Sequence, residues 1–105
     1  MSESEDSLSR LYRAIGDTTR RRIIDELSER GSQSLFELYT RVQSRHGINQ
    51  TRQAFTRHLI VLEEVGIVEV EWRGNTKLHS VNTQPLARLS DGWLSNFGGP
   101  KCGST

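Results

Sequence analysis

Apolar residues recur at helical spacing in five stretches of this chain and alternate with polar ones, at strand spacing, in a sixth. The stretch that organises the others covers residues 49–66. In it Ala54, Phe55, His58, Leu59, Leu62 and Val65 share one helical face and are expected to meet a core. Thr51, Arg52, Gln53, Thr56 and Arg57 take the opposite face. Asn49 or Thr51 can cap the start by accepting backbone N–H bonds, and Gly66 can adopt the left-handed conformation that ends a helix. Residues 67–72 follow as a strand, in which Val68, Val70 and Trp72 alternate with Glu69 and Glu71. Arg73, Gly74, Asn75 and Thr76 read as a tight turn, with Gly74 and Asn75 both tolerant of positive φ, and residues 77–81 as the return strand. A lone hairpin is marginally stable, so this one must pack on the helices.

Upstream, Leu8, Leu11, Tyr12 and Ile15 define a first helix over residues 7–15, closed by Gly16. Asp17 then occupies the N-cap position of a second, Thr18–Arg30, with Ile23, Ile24 and Leu27 facing the core. Gly31 closes it. Ser34 and Glu37 form a capping box ahead of a short third helix, residues 35–44, which offers Leu35, Leu38, Tyr39 and Val42 to the core. Residues 45–49 connect it to the central stretch, so residues 35–66 read as helix, turn, helix. Thr83 can cap a last helix, Pro85 suits its first turn, and Leu86, Leu89, Trp93 and Phe97 align along it until Gly98, Gly99 and Pro100 stop it. The predicted fold is mainly α (α+β): a winged helix-turn-helix of about five helices with a two-stranded β-hairpin wing. One domain spans residues 7–97, with residues 1–6 and 98–105 as flexible tails.

Charge gives the outer face of the central helix a meaning. Between Leu38 and Leu62 there is no acidic residue, while Arg41, Arg45, Arg52 and Arg57 all fall there. A solvated helix ordinarily mixes signs, and a one-sign stretch repels itself unless it meets a polyanion. Long or hydroxylated donors on a helix suit phosphate oxygens and base edges. The net charge of +1 means that any DNA footprint is a local patch, because Glu3, Glu5, Asp6, Glu63, Glu64, Glu69 and Glu71 balance the sum elsewhere. Arg20, Arg21 and Arg22 open the second helix, against its dipole. Two readings stand: an approaching phosphate satisfies both the helix end and the arginines, or they pair with Asp17, Asp25 or Glu26.

A chain of 105 residues, 33% hydrophobic and with a mean hydropathy of −0.60, has a thin core. The first and last helices, rich in large apolar residues, either pack within the monomer or form a dimer interface. Leu8, Leu11, Tyr12, Leu86, Leu89, Trp93 and Phe97 are the expected contacts, and the thin core favours the dimer. Cys102 is the single cysteine, so no disulfide framework can form within one chain, as suits a reducing cytosol; it could bridge two subunits. No apolar run reaches the ~18 residues of a membrane span, and the acidic, serine-rich start lacks a signal-peptide pattern. A cytoplasmic protein is expected. His46, His58 and His79 have no i, i+3 or i, i+4 partner among themselves, so no metal or other cofactor is expected. His58 is expected to hydrogen-bond at the base of the central helix, and His79 in the wing or core. No nucleophile elbow, phosphate loop or paired-carboxylate motif points to an enzyme.

The sequence resembles the ArsR/SmtB-type winged-helix repressors over residues 11–97. The stretch from Leu11 to Arg20 resembles the family's opening, with Thr18 where proline is common. The stretch from Gln53 to Val68, with Thr56, His58-Leu59, Leu62, Glu63 and Gly66, resembles its recognition helix and exit, and Trp72 to His79 resembles its wing. The resemblance implies a dimeric repressor of an inverted-repeat operator on double-stranded DNA, released by an effector of unknown identity. It implies reading by Gln53, Thr56 and Arg57, with Thr51 and Arg52 nearby, and wing contacts from Arg73 and Lys77. Arg20 joins this set on the phosphate reading. The cysteines and histidines of the family's metal sensors are missing from the third and last helices, which implies a metal-independent member. A second class of function, a winged-helix protein-interaction module, is suggested by Ile60, an apolar residue on the outer face beside Trp72.

Overall fold

The computed structural model describes residues 3–97, which form α1 (Glu3–Ile15), α2 (Thr18–Arg30), β1 (Gln33–Ser34), α3 (Leu35–His46), α4 (Arg52–Glu64), β2 (Val68–Arg73), β3 (Thr76–Val81), α5 (Gln84–Asp91) and a 3₁₀ segment, Trp93–Phe97. The expected tail of residues 98–105, Cys102 included, lies outside the described residues. The three strands make one antiparallel sheet in the order β1-β3-β2. β2 and β3 pair from Val68↔Val81 at the base to Arg73↔Thr76 at the tip. The sheet therefore has one strand more than the expected hairpin: β1 adds Gln33↔His79 and Ser34↔Leu78.

Most boundaries follow from their caps. The Asp17 Oδ2 accepts the Arg20 N–H at 3.1 Å and starts α2. Ser34 and Glu37 exchange side-chain and backbone bonds at 3.0 and 3.2 Å, the capping box that starts α3. Thr51, not Asn49, caps α4, its hydroxyl accepting the Ala54 N–H at 3.1 Å. At the other end Gly66 takes φ 82°, and the Ile67 N–H turns back to the Leu62 carbonyl at 3.0 Å. At the wing tip only Gly74 has positive φ, 62°; Asn75 does not share it. Glycine at the first central position is the requirement of a type II′ hairpin turn.

Three elements differ from expectation at their ends. α1 begins at Glu3, so part of the expected tail is helical; an acidic opening favours a helix start. α3 continues to His46, where Gly47 at φ 65° stops it. The last helix is broken. Gly92 hydrogen-bonds back to the Arg88 carbonyl, and a Cβ at this position would sit 2.8 Å from that oxygen. The chain turns there, and Trp93 and Phe97 leave the helix that carries Leu86 and Leu89. Thr83 makes no side-chain cap; the Asn82 Oδ1 accepts the Gln84 N–H instead.

The core lies where the helices meet the base of the sheet, and is built from Leu11, Ala14, Ile23, Leu27, Leu38, Val42, Phe55, Leu59, Leu62, Ile67, Val68 and Leu89. Leu11 and Leu89, expected at a subunit interface, are 2% and 4% exposed within the single chain, so they cannot also cover a partner. Four polar residues, Thr19, Glu26, Gln33 and His79, are buried with them. The Gln33 side-chain amide donates to the Glu26 and Gly31 carbonyls, its oxygen accepts from Arg41 at 3.0 Å, and its backbone carbonyl accepts from the His79 Nδ1 at 3.1 Å. Those bonds hold β1 to the sheet. The Glu26 carboxylate meets Arg30 and Arg45 at 3.0 Å each, and Arg45 reaches on to Glu29 at 2.7 Å.

This carboxylate hub gives a stability test. Glu26→Gln keeps the volume but removes both ion pairs, and is expected to lower the unfolding free energy by about 1.5–3 kcal/mol, read from urea melts. Glu29 is a solvent-facing member whose carboxyl is held below its ordinary 4.5, first by the hydrogen bond and then by the charge of Arg45. Its contribution is therefore full above pH 4.5 and is lost as pH falls through the lowered value. Glu29→Gln should flatten the stability–pH curve below pH 4.5 and leave its shape near neutrality unchanged.

Candidate nucleic-acid interface

The amino end of α4 is fixed from below by its predecessors. The Tyr39 hydroxyl donates to the Gln50 carbonyl at 2.8 Å, the Gln43 amide donates to the same oxygen, and the Gln50 amide donates to the Thr19 hydroxyl at 2.9 Å. Tyr39 also packs edge-on against Phe55, with ring centroids 5.2 Å apart. Phe55, Leu59 and Leu62 bury the inner face of the helix. With that face committed, Thr51, Arg52, Gln53 and Arg57 stand exposed and Thr56 half-exposed. Among the described residues, no acid pairs with Arg52 or Arg57, and the first turn of α4 carries no acid. Free N–H groups at the helix start add partial positive charge to the arginine there.

The wing stands beside this helix. Lys77 is exposed, and Arg73 reaches only the equally exposed Glu71, at 3.7 Å, a pair too solvated to hold it. Trp72 is cross-strand neighbour to Lys77 and is exposed, as is Ile60 on the outer face of α4.

Arg20 has a different place. Its Nε donates to the Ala14 carbonyl at 2.6 Å, its Nη2 to the Arg13 carbonyl at 3.2 Å, and its Nη1 meets the His58 Nδ1 at 3.0 Å. Arg21 likewise donates to the Ile15 carbonyl at 2.6 Å. These arginines answer carbonyls in the last turn of α1, of which that of Arg13 also accepts the Gly16 N–H at 3.2 Å, which is why they sit at the start of α2 in spite of its dipole. Of the acid pairings considered, only Arg22 with Asp25 occurs, at 3.9 Å. A guanidinium has no acceptor, so in this contact it is the His58 Nδ1 that accepts; Asp17 lies 3.7 Å away.

The acid-free stretch is also divided by the fold. Arg41 and Arg45 turn inward to Gln33, Glu26 and Glu29, while Arg52 and Arg57 turn outward. Sequence reading missed Gln50, Tyr39 and Gln43 as the anchors of the helix start. The available signal was a glutamine directly before the cap. Among the described residues, no group of three histidine, cysteine, aspartate or glutamate side chains is placed to hold a metal ion. No described helix is long and apolar enough to cross a membrane.

A helix pair, α3 and α4, followed by a hairpin wing defines a winged helix-turn-helix protein. No family model matches the chain. It is 42% identical over 84 residues to YuzN, an uncharacterized HTH-type transcriptional regulator of Bacillus subtilis (strain 168), across 80% of this chain and 91% of the relative. An ArsR-like transcriptional regulator from Rhodococcus sp. RHA1 has the same fold at a TM-score of 0.76 and 28% identity, over 93% of this chain and 84% of that one. The homodimeric winged helix-turn-helix DNA-binding domain Mb0332 of Mycobacterium bovis, a possible ArsR-family regulator, matches at a TM-score of 0.67 and 17% identity, over 97% and 93%, a likeness of fold alone. The chain belongs to the HTH-type transcriptional regulators, and its structural neighbours are ArsR-family winged-helix regulators, the family its sequence resembles.

The contacts of Arg20 yield a test that separates the clamp from a phosphate contact. Arg20→Ala should lower the unfolding free energy by about 1.5–3 kcal/mol, because it leaves charged hydrogen bonds unmade. It should leave the salt dependence of DNA binding unchanged; a phosphate contact would lower that slope by about one.

Proposed function

We propose that the protein is a sequence-specific DNA-binding repressor that acts as a cytoplasmic homodimer, needs no metal to bind, and reads an inverted-repeat operator. The observation that carries this reading is the free polar face of α4, where Arg52, Gln53, Thr56 and Arg57 project from a helix whose other side is fixed in the core. Gln53, Thr56 and Arg57 read base edges in the major groove; Thr51, Arg52, Arg73 and Lys77 hold phosphates or the minor groove. Arg20 is left out of the set.

The dimer rests on the ends of the chain. Trp93 and Phe97 are 57% and 67% exposed on the 3₁₀ segment, and Leu94 is exposed between them. Trp93 packs tilted against Phe97, with ring centroids 4.9 Å apart, and meets Tyr12 of α1 edge-on at 6.3 Å. Leu8, Tyr12 and Leu86 are half-buried against the core, and of these Tyr12 meets the aromatic patch. A contiguous aromatic patch of this kind is covered by a partner in a stable soluble protein. A two-fold dimer presents two copies of α4 to two half-sites, about 34–36 Å apart.

Selection of bound duplexes from a random library, with and without chelator, tests the whole reading. The expected result is an enriched inverted repeat, unchanged by chelator. On that repeat Arg57→Ala should cost about 1–3 kcal/mol and relax one position. Each of Arg73→Ala and Lys77→Ala should instead weaken all sequences alike and reduce the salt slope by about one. The exposed Ile60 and Trp72 favour a second reading, a protein-interaction module. Absence of salt-dependent binding to random duplex, followed by fluorescence anisotropy, would select that one.

A further inference from the structure

We propose that the cleft between α1 and α4 binds a small aliphatic carboxylate, and that its occupancy sets how the recognition helix sits against α1. The cleft has a volume of about 260 Å³. One wall is the second half of α4, where Val61 and Val65, one turn apart, are half-buried against the core. The other is α1, with Ala14 at its floor and Arg10 and Arg13 above. The two arginines are three residues apart, hence on one helical face, and both are exposed. Among the described residues neither has an acid partner, so both present free donor forks across an apolar floor. Two adjacent guanidiniums repel, and a bidentate carboxylate relieves that repulsion while its hydrocarbon body covers the valines.

Volume narrows the ligand. The cleft, about 260 Å³ and open to solvent on one side, is short of the ~300–1,000 Å³ of drug-sized sites. Nucleotides are too large, and inorganic phosphate would leave Val61 and Val65 uncovered. The shared chemistry is a short branched or straight carboxylic acid. Glu64, which lines the cleft as well and is exposed, distinguishes two sources: an amino acid gives it an ammonium partner, an oxo acid does not.

Coupling follows from position. Val61 lies nine residues beyond Arg52, about 14 Å along the helix axis, so the occupant does not compete with DNA for the reading face. Arg20 lines the same cleft and grips both the last carbonyls of α1 and His58, one turn before Val61. A ligand that bridges α1 and α4 thereby favours one separation of the two over another, and only this difference can shift the equilibrium. The inference deepens the regulatory reading and draws its biological meaning from it; binding itself does not depend on that reading.

The test is a methyl and amide NMR titration of the full chain, without DNA, using L-leucine, 4-methyl-2-oxopentanoate, isopentylamine and inorganic phosphate. The expected result is a saturable shift of the Val61 and Val65 methyls and of His58 with at least one of the two carboxylates, and none with isopentylamine. Binding should weaken by about tenfold or more in R10Q/R13Q, whose melting temperature should match the parent, and Arg13→Gln alone should act in the same direction. Leucine preferred over the oxo acid, with the preference lost in Glu64→Gln, would identify the amino-acid source. No saturable shift from either carboxylate at about 10 mM, where a Kd of about 1 mM is already near saturation, would overturn the site. So would equal binding by R10Q/R13Q, or phosphate binding as well as the carboxylates. Valine shifts without a response at His58 would overturn the coupling. Anisotropy on the selected operator, run separately, tests the DNA reading, so the two can fail independently.

Discussion

A helix that ends inside a small domain must find donors for its last carbonyls, and in this chain the solution fixes the geometry of everything that follows. α1 stops at Ile15, and Arg20 and Arg21, delivered by the first turns of α2, donate to the carbonyls of Arg13, Ala14 and Ile15. The same Arg20 guanidinium continues to His58 in the middle of α4. A single side chain therefore relates the end of α1, the start of α2 and the helix that carries the free polar face. Its planar fork is what makes this possible, since a lysine could not reach three acceptors in fixed directions.

A second charged centre removes basic groups from the surface. Glu26, fully buried, draws in Arg30 and Arg45, and Gln33 draws in Arg41. A buried carboxylate without such partners would be costly, and half-exposed arginines supply the compensation without being buried themselves. One consequence is structural: β1, a strand of two polar residues, is tied to the sheet through Gln33. The other is electrostatic. With α3 neutralised from inside, the first half of α4 and the wing tip form one exposed basic patch, separate from the exposed arginines of α1, on a chain of net charge +1.

Much of this was legible in the sequence, for reasons that also explain what was not. Thr18–Arg30 is bounded as expected because Asp17 and Gly31 are explicit start and stop signals, and the capping box at Ser34 is equally local. The wing follows from period-two alternation and a glycine turn. What escaped depends on groups distant in sequence. β1 has no hydrophobic signature, because Gln33 is buried by hydrogen bonds rather than by apolar contact. Arg45 is neutralised by residues 19 and 16 positions earlier, so an acid-free stretch was only half a free one. The arginines at the start of α2 serve the preceding helix, a use that neither of the two readings had considered. Leu11 and Leu89 look like interface residues by type, but one thin core needed them.

The size of the free basic patch argues for pairing. If Arg57 is given to a base edge, Arg52, Arg73 and Lys77 remain for phosphates. Three phosphate contacts give a salt slope of roughly −2.7, from −0.9 for each. A lone protomer would then hold DNA weakly at physiological salt, where non-specific dissociation constants lie at ~10⁻⁴–10⁻⁶ M even for proteins with more contacts. Two protomers double the slope to roughly −5.4 and convert the second engagement into an intramolecular one, which raises affinity without any new type of contact. The spacing of the two copies of α4 then becomes the quantity on which binding depends. On the proposed reading, a change of angle between α1, beside the aromatic patch, and α4 is the most economical means of releasing an operator.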